Sequence, residues 1–260
     1  MIPKLRAISF LALVAVALLP AAGLAEQISQ ASAQLVRNAE QDLSAQRAEA
    51  AIEKLQQAAD MAPDWYVPPA RLAVAYHVCG METAALQQYL CVQRLSFERY
   101  DPDSGCSEQV RQLLAEAEAY MSLLVNQTRR EAGRRLLYTH PQMAIVGRHH
   151  ALEMRDEGYF SHDSPTPARR TVVERFQLIF GFRPRVLGEN LARRWRRGPG
   201  YSLSLAKIHD SYEDLLKSHG HRKTIMMPEL THFGVGIAVD QRGNYWVSQV
   251  FADMTGHPEY

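Results

Sequence analysis

Apolar and polar positions recur with different periods along this chain. An apolar run extends from Ala7 to Leu19. Between Ala51 and Tyr89 apolar residues return at helical spacing: Ala51, Leu55 and Ala58, then Leu72, Ala73, Tyr76, Ala85 and Tyr89. Pro63 ends a helix and Gly80 falls where the chain must turn. Ala51 to Ala85 and Leu55 to Tyr89 are both offsets of 34 residues. Further helices are expected over Ser107 to Tyr120, from Leu124, and from Pro141 through His149, His150 and Met154 to Gly158. Leu205, Ile208, Tyr212, Leu215 and Leu216 mark one helix face that should meet a core. The period then falls to two. Phe233–Val239 and Tyr245–Phe251 flank Asp240-Gln241-Arg242-Gly243-Asn244, a turn composition, and predict a β-hairpin. Gly234 and Gly236 share one face of their strand and leave room for a neighbouring backbone or a site residue.

Charge divides the chain. Residues 26–120 hold 7 basic and 14 acidic side chains, residues 121–260 hold 20 and 14, and nine of the ten histidines lie in the basic half. Two modules that attract one another are one reading. Net charge near zero gives no reason to expect nucleic acid as a partner. At the N-terminus, Lys4 and Arg6 precede the apolar run, and Pro20 and Gly23-Leu24-Ala25 follow it. This is the pattern of a secretory signal peptide cleaved after Ala25, and the run is shorter than the roughly 20 residues of a spanning helix. The expectation is an exported protein, periplasmic or secreted, with no later transmembrane span. Export permits disulfides. Cys79, Cys91 and Cys106 allow one bridge at most, their pairing is open, and their spacing is not that of a metal site.

The acidic half resembles a tetratricopeptide-like repeat on its 34-residue period and on Leu72-Ala73-x-x-Tyr76 and Ala85-x-x-x-Tyr89. Pro69 replaces the tryptophan usual near the start of a repeat. Small alanines allow antiparallel helices to approach, and a generic helical hairpin fits the same pattern. Repeats need a neighbour to cover their apolar face, and the helix Ser107–Tyr120 is placed to supply it. The resemblance implies a protein or peptide partner on the concave face, with a purely structural docking role equally open.

In the basic half three polar clusters stand beside turn-forming residues: Phe160-Ser161-His162-Asp163-Ser164-Pro165, Gly188-Glu189-Asn190 and Ser218-His219-Gly220-His221-Arg222. Imidazoles with a carboxylate can hold a metal, carry out acid/base chemistry or bind a polar ligand. Asn126-x-x-Arg129, His150-x-x-x-Met154, Phe160-Ser-His-x-Ser-Pro165, Gly188-Glu-Asn-Leu-Ala192, Gly220-His-Arg222, Phe233-Gly-Val-Gly236 and Trp246-Val-x-Gln-x-Phe251, in that order, resemble the bacterial branch of the CAP superfamily (cysteine-rich secretory, antigen and pathogenesis-related proteins). The resemblance covers about residues 120–254. It implies an α+β fold, an α-β-α sandwich around a small, mainly antiparallel sheet, following the all-α helical-repeat module. The expected division is signal peptide 1–25, helical module 26–119, CAP domain 120–254 and tail 255–260.

The family's cleft holds two histidines and two glutamates. Matched by motif, these are His162, His221 and Glu189; the second glutamate would fall near Leu215–Ser218, which has no carboxylate, and the register does not favour Glu213 or Asp214. Thr224 replaces an asparagine common after the last histidine, and His219 is expected to be exposed. Ser164, Asn190 and Arg222 complete the expected ligand cleft. A buried, unpartnered Glu189 would cost several kcal/mol, so it must meet an imidazolium, a metal or hydrogen-bond donors. Its charge would raise nearby histidine pKa values, and acid would weaken metal binding. His162, His221 and Glu189 around zinc or another divalent ion would leave an open coordination position. No nucleophile, matched base or oxyanion hole is evident, and Ser161 and Ser164 suit turns and caps. A structural polar cluster, non-catalytic binding of a metal or an envelope or lipid-like ligand, and metal-assisted hydrolysis remain open. Arg193-Arg194-Trp195-Arg196-Arg197-Gly198-Pro199-Gly200 reads either as a solvated loop or as a contact for anionic envelope groups.

Overall fold

The computed structural model describes residues 21–99, 107–195 and 203–257. Residues 1–20 of the expected signal peptide 1–25, the Asp101–Gly105 loop, Cys106, Arg196, Arg197 and the Gly198-Pro199-Gly200 stretch, and residues 258–260 lie outside them. Among the described residues no helix is long and apolar enough to cross a membrane. Cys91 carries a free thiol.

Chain compactness divides between Trp65 and Tyr66. The first unit is a helical hairpin of α1 (Ala21–Ser44) and α2 (Ala48–Met61). Ala39, Ala51, Leu55 and Ala58 are fully buried, because alanine brings the helix backbones close. Ser32 Oγ reaches across to the carbonyl of Ala58 at 2.9 Å. Asp42 sits before the turn and accepts from Lys54 and Arg47, whose hydrogen bonds hold its carboxyl below the usual range.

The second unit opens with α3 (Val67–Val78), which has prolines in its first turn, where a missing N–H costs nothing. α4 (Glu82–Arg99) follows. The turns of the two hairpins match atom for atom. Gln46 and Gly80 are left-handed, at φ 59° and 71°. Arg47 N–H donates to Asp42 O and Met81 N–H to Tyr76 O, each at 2.8 Å, the six-to-one bond of a Schellman cap. These partners are all 34 residues apart, as are the fully buried pairs Ala51 and Ala85, Leu55 and Tyr89.

α5 (Glu108–Glu131) is capped by Ser107, leads to the short β1 (Tyr138–Thr139), and α6 (Pro141–Asp156) follows. Asn126 fixes this passage by pairing both its amide groups with the Leu137 backbone, at 2.8 and 2.9 Å. After α7 (Val172–Phe180) come β2 (Leu187–Arg194), α8 (Leu205–Lys217), α9 (His219–Ile225), β3 (His232–Val239) and β4 (Tyr245–Ala252). The sheet order is β1-β3-β4-β2, with β1 parallel to β3 and the other pairs antiparallel.

Period-two alternation builds the sandwich. Phe233, Val235 and Ile237 of β3, with Tyr245, Val247 and Phe251 of β4, pack against α5 and α8 through Met121, Val125, Ile208 and Tyr212. The opposite face meets α6, where Met143 and Val146 lie against Val250 and Ala252. Glycine permits that second contact. A Cβ on Gly234 would stand 2.2 Å from the amide nitrogen of Ala144, and one on Gly236 only 1.9 Å from that of Arg148. The space foreseen beside these glycines therefore holds a helix backbone. β1 covers only the first residues of β3, and further along the edge Glu118 accepts the Ile237 N–H at 2.9 Å. Glu118 is paired there with Arg148, at 2.6 and 3.1 Å, with both side chains buried.

Candidate functional site

The site forms where the edge strand β2 passes the loop between α6 and α7. Thr171 and Glu174 make a reciprocal capping box that starts α7, and this sets Arg175 one turn in, facing β2. Arg175 Nη2 donates to both Glu189 oxygens at 2.9 and 3.0 Å. Its Nη1 donates to the carbonyls of His162, Arg169 and Arg170. One guanidinium thus ties the loop to the strand. Ser248 Oγ of β4 donates to Glu189 Oε1 at 3.0 Å. His162 Nδ1 lies 3.0 Å from Glu189 Oε2; its side chain is 56% exposed, whereas Glu189 and Arg175 are buried.

The electrostatics follow from those contacts. Burial opposes the Glu189 charge, but the His162 hydrogen bond and the charges of Arg175 and His150 outweigh it and hold the carboxyl below its usual range. The same hydrogen bond raises His162. His221 is lowered, first by burial and then by the nearby charge of His162. His150, lowered by burial, has Nε2 2.9 Å from the carbonyl of Ser161.

A second carboxylate holds the other end of the loop. Glu153 of α6 accepts from Tyr159, Ser164, Thr166 and Arg169 at 2.8 to 2.9 Å. Burial opposes its ionisation, yet these donors bring its pKa down to about 2.

The expected site residues separate accordingly. His162 and Glu189 meet. Ser164 is buried and donates to Glu153, away from the Glu189 group. Asn190 is buried and bridges the carbonyl of His221 at 3.1 Å and Gln249 at 3.2 Å, so it positions the start of α9. Arg222 and His219 are exposed. Asp214 is held by Arg194 and Lys217, and Glu213 is exposed. His221 lines a groove of about 270 Å³ with Phe160, Leu191, Arg193, Leu215 and Ser218. Of the arginine run, Arg194 is engaged by Ser211 and Asp214, while Arg193 lies against the rings of Phe160 and Trp195.

The donor set does not fit a cation held jointly by His162, His221 and Glu189. Arg175 already supplies the positive charge on Glu189, and Ser248 and His162 occupy its remaining acceptor positions. Among the described residues no three His, Cys, Asp or Glu side chains are grouped to hold a metal ion.

Residues 123–251 match the CAP family, the cysteine-rich secretory proteins. They form a CAP domain. An uncharacterised protein of Bacillus subtilis strain 168, YkwD, is 30% identical to the chain over 128 residues, which are 48% of this chain and 43% of that protein. The chain therefore spans less than half the length of that curated relative. An extracellular SCP-domain protein of Bacillus anthracis Ames is 27% identical, with a TM-score of 0.47, over 56% of this chain and 43% of that one. An outer surface protein of Borrelia burgdorferi is 12% identical, with a TM-score of 0.45, over 53% and 92%.

Within the CAP domain, sequence reasoning missed Arg175, Ser248 and Glu153. The Thr171-x-x-Glu174 capping box was the available signal for a helix carrying Arg175. For Glu153 the signal was the run of hydroxyls at Tyr159, Ser164 and Thr166, which needs an acceptor.

Proposed function

We propose that the CAP domain is a non-catalytic binding module of an exported protein, and that its ligand is a component of the cell envelope entering the groove beside His221. The observation carrying this reading is the state of Glu189. A carboxylate that accepts from Arg175, His162 and Ser248, and whose pKa is depressed, is a weak base with no open lone pair. Ser164 has no imidazole partner and donates to a carboxylate, so it lacks the arrangement of an activated nucleophile. His162 and His221, by contrast, face accessible space and can recognise a polar group.

The alternative is metal-assisted hydrolysis of envelope peptides by His162, Glu189 and His221 around a zinc ion. It has weaker support, because Arg175 would have to leave Glu189 first. Calorimetric zinc titration of the wild type and the His162→Ala/His221→Ala double variant separates the readings. Equal zinc uptake by both, with no product from a peptide and glycan library, is expected. A zinc-dependent product that disappears in the double variant would favour the hydrolase.

For the helical region we infer a tetratricopeptide-like pair of units that contacts a protein or peptide. The support is the turn geometry repeated at 34 residues. Crosslinking with and without residues 26–65 tests it, and an unchanged set of partners would remove it.

A further inference from the structure

The end of β2 carries an arrangement that the binding reading above leaves unused. The guanidinium carbon of Arg193 lies 4.7 Å from the ring centre of Phe160 and 4.6 Å from that of Trp195. Both rings are exposed, Phe160 to 40% and Trp195 to 55%. Trp195 stands edge-on to Trp246 at 5.8 Å and 80°, and Trp246 is buried in the sheet, so the stack is anchored to the fold. The neighbouring Arg194 is neutralised by Asp214 at 2.6 Å. Among the described residues Arg193 has no ion-pair partner.

A solvated charge run has no need of two exposed aromatic rings. Contacts with two rings restrict the rotamers of a guanidinium without consuming its N–H donors, which prepares it for a bidentate oxyanion. Free phosphate would use that edge and none of the aromatic surface. A phospholipid surface would use both: the amphipathic indole settles at the headgroup level, the apolar phenyl ring enters beside it, and the cation meets phosphate. The basic half, with its 20 cationic against 14 anionic side chains, draws the domain toward a negative surface.

We propose that Phe160, Arg193 and Trp195 dock the CAP domain on anionic phospholipid, with Arg193 on the phosphodiester and the two rings in the interface. This rests on the reading of the domain as a binding module and names the surface on which it works. It places the groove, which shares Phe160 and Arg193, at the membrane face.

The test is co-sedimentation of the mature chain with vesicles of phosphatidylcholine alone or mixed with phosphatidylglycerol. Wild type should bind the anionic vesicles alone, with a blue shift of tryptophan emission. Arg193→Ala should weaken binding by about tenfold, and Phe160→Ser/Trp195→Ser by at least as much. Arg193→Lys should fall between, since it keeps the charge but not the planar fork. Arg183→Ala is the control, an exposed arginine on the same domain with equal loss of charge; it should stay within about twofold. Unchanged thermal melts establish that the variants fold. Equal binding by Arg193→Ala and Arg183→Ala would overturn the proposal, as would equal affinity for neutral vesicles or no sedimentation at all. Full competition by glycerol phosphate at the affinity of vesicles would also overturn it, in favour of a free phosphate site. Loss of binding in His162→Ala/His221→Ala with none in Arg193→Ala would leave the cleft reading standing and remove this one.

Discussion

Two buried glutamate–arginine pairs in the second unit look alike and behave in opposite ways. Glu118 with Arg148 seals the open edge of β3; Glu189 with Arg175 floors the cleft beside β2. Arg148 is bidentate through Nε and Nη2, Arg175 reaches both oxygens through Nη2 alone, and all four side chains are nearly inaccessible. Burial wins at Glu118 and raises its carboxyl above the usual range, against the pull of Arg148 and the Ile237 amide. At Glu189 burial loses, because the hydrogen bond from a solvent-facing imidazole, His162, and the charge of His150 add to the guanidinium. The number and kind of donors, more than depth, decides the sign. One pair is therefore a fastening, and the other is a charge presented to a cleft through His162.

The largest effect should come from breaking the sealed pair. Arg148→Ala leaves a carboxylate with one backbone donor and no path to water. A loss of about 3–5 kcal/mol is expected, read by denaturant unfolding. Replacing both partners by apolar residues, Glu118→Leu/Arg148→Met, should recover much of that loss. If the double variant is as unstable as the single one, Glu118 is needed for its bond to Ile237 and the pair is more than a fastening.

Arg175→Ala tests the second pair. Glu189 keeps His162 and Ser248, so the loss should be smaller, about 2 kcal/mol. Its signature should be local, because Arg175 also holds three loop carbonyls. Hydrogen exchange should accelerate in residues 161–170 while β3 and β4 stay protected. Equal acceleration in both regions would mean that this pair, too, serves the whole fold.

The two pairs also explain what could be read from the chain and what could not. β3 and β4 were legible because alternation and a turn-forming Asp240–Asn244 specify a hairpin whatever surrounds it. His162 and Glu189 were legible because their motifs stand beside turns, and a buried glutamate demands a partner. The partner's identity was hidden. Arg175 lies in an amphipathic helix, where an arginine ordinarily marks the solvated side. Glu118 and Arg148 lie in helices buried on most sides, so the helical period that separates core from surface carries little information. The 34-residue recurrence of the hairpins was legible in sequence through Ala51 and Ala85, while their shared left-handed turn was hidden because Gln46 fills it in one hairpin and Gly80 in the other.

A third prediction sets the pairs apart by pH. The folded pKa of Glu118 is raised, so its contribution is present below the unfolded value, about 4.3, and is lost as pH rises through the folded value. That of Glu189 is lowered, so its contribution is present above about 4.3 and is lost as pH falls through the folded value. Melting temperature against pH should accordingly lose acid sensitivity in Glu189→Gln and gain it in Glu118→Gln. His162 adds a contribution present below about 6.5 and lost as pH rises through its raised value. Its imidazole, followed by NMR, should titrate above 6.5 in the wild type and fall in Glu189→Gln. Parallel shifts in the two glutamine variants would refute the contrast.

The smallest effect isolates the extra donor. Ser248→Ala removes one hydrogen bond to Glu189 and leaves Arg175 and His162 in place. The alanine methyl lies within the sheet and α6 packing without a new clash, so the cost should be about 1 kcal/mol, a fall in melting temperature of roughly 2–4 °C. The carboxylate, less well satisfied, should hold the His162 proton more tightly and move that imidazole's titration further up. A stability loss without this movement would assign Ser248 to packing alone. No equivalent substitution exists at the other pair. The third donor to Glu118 is a backbone N–H, and removing it with proline at Ile237 would also break the β3 ladder. Evolution can tune a side-chain donor one residue at a time but not a backbone one. That difference suits Glu189 to a cleft whose electrostatics can be adjusted, and Glu118 to an edge that must stay closed.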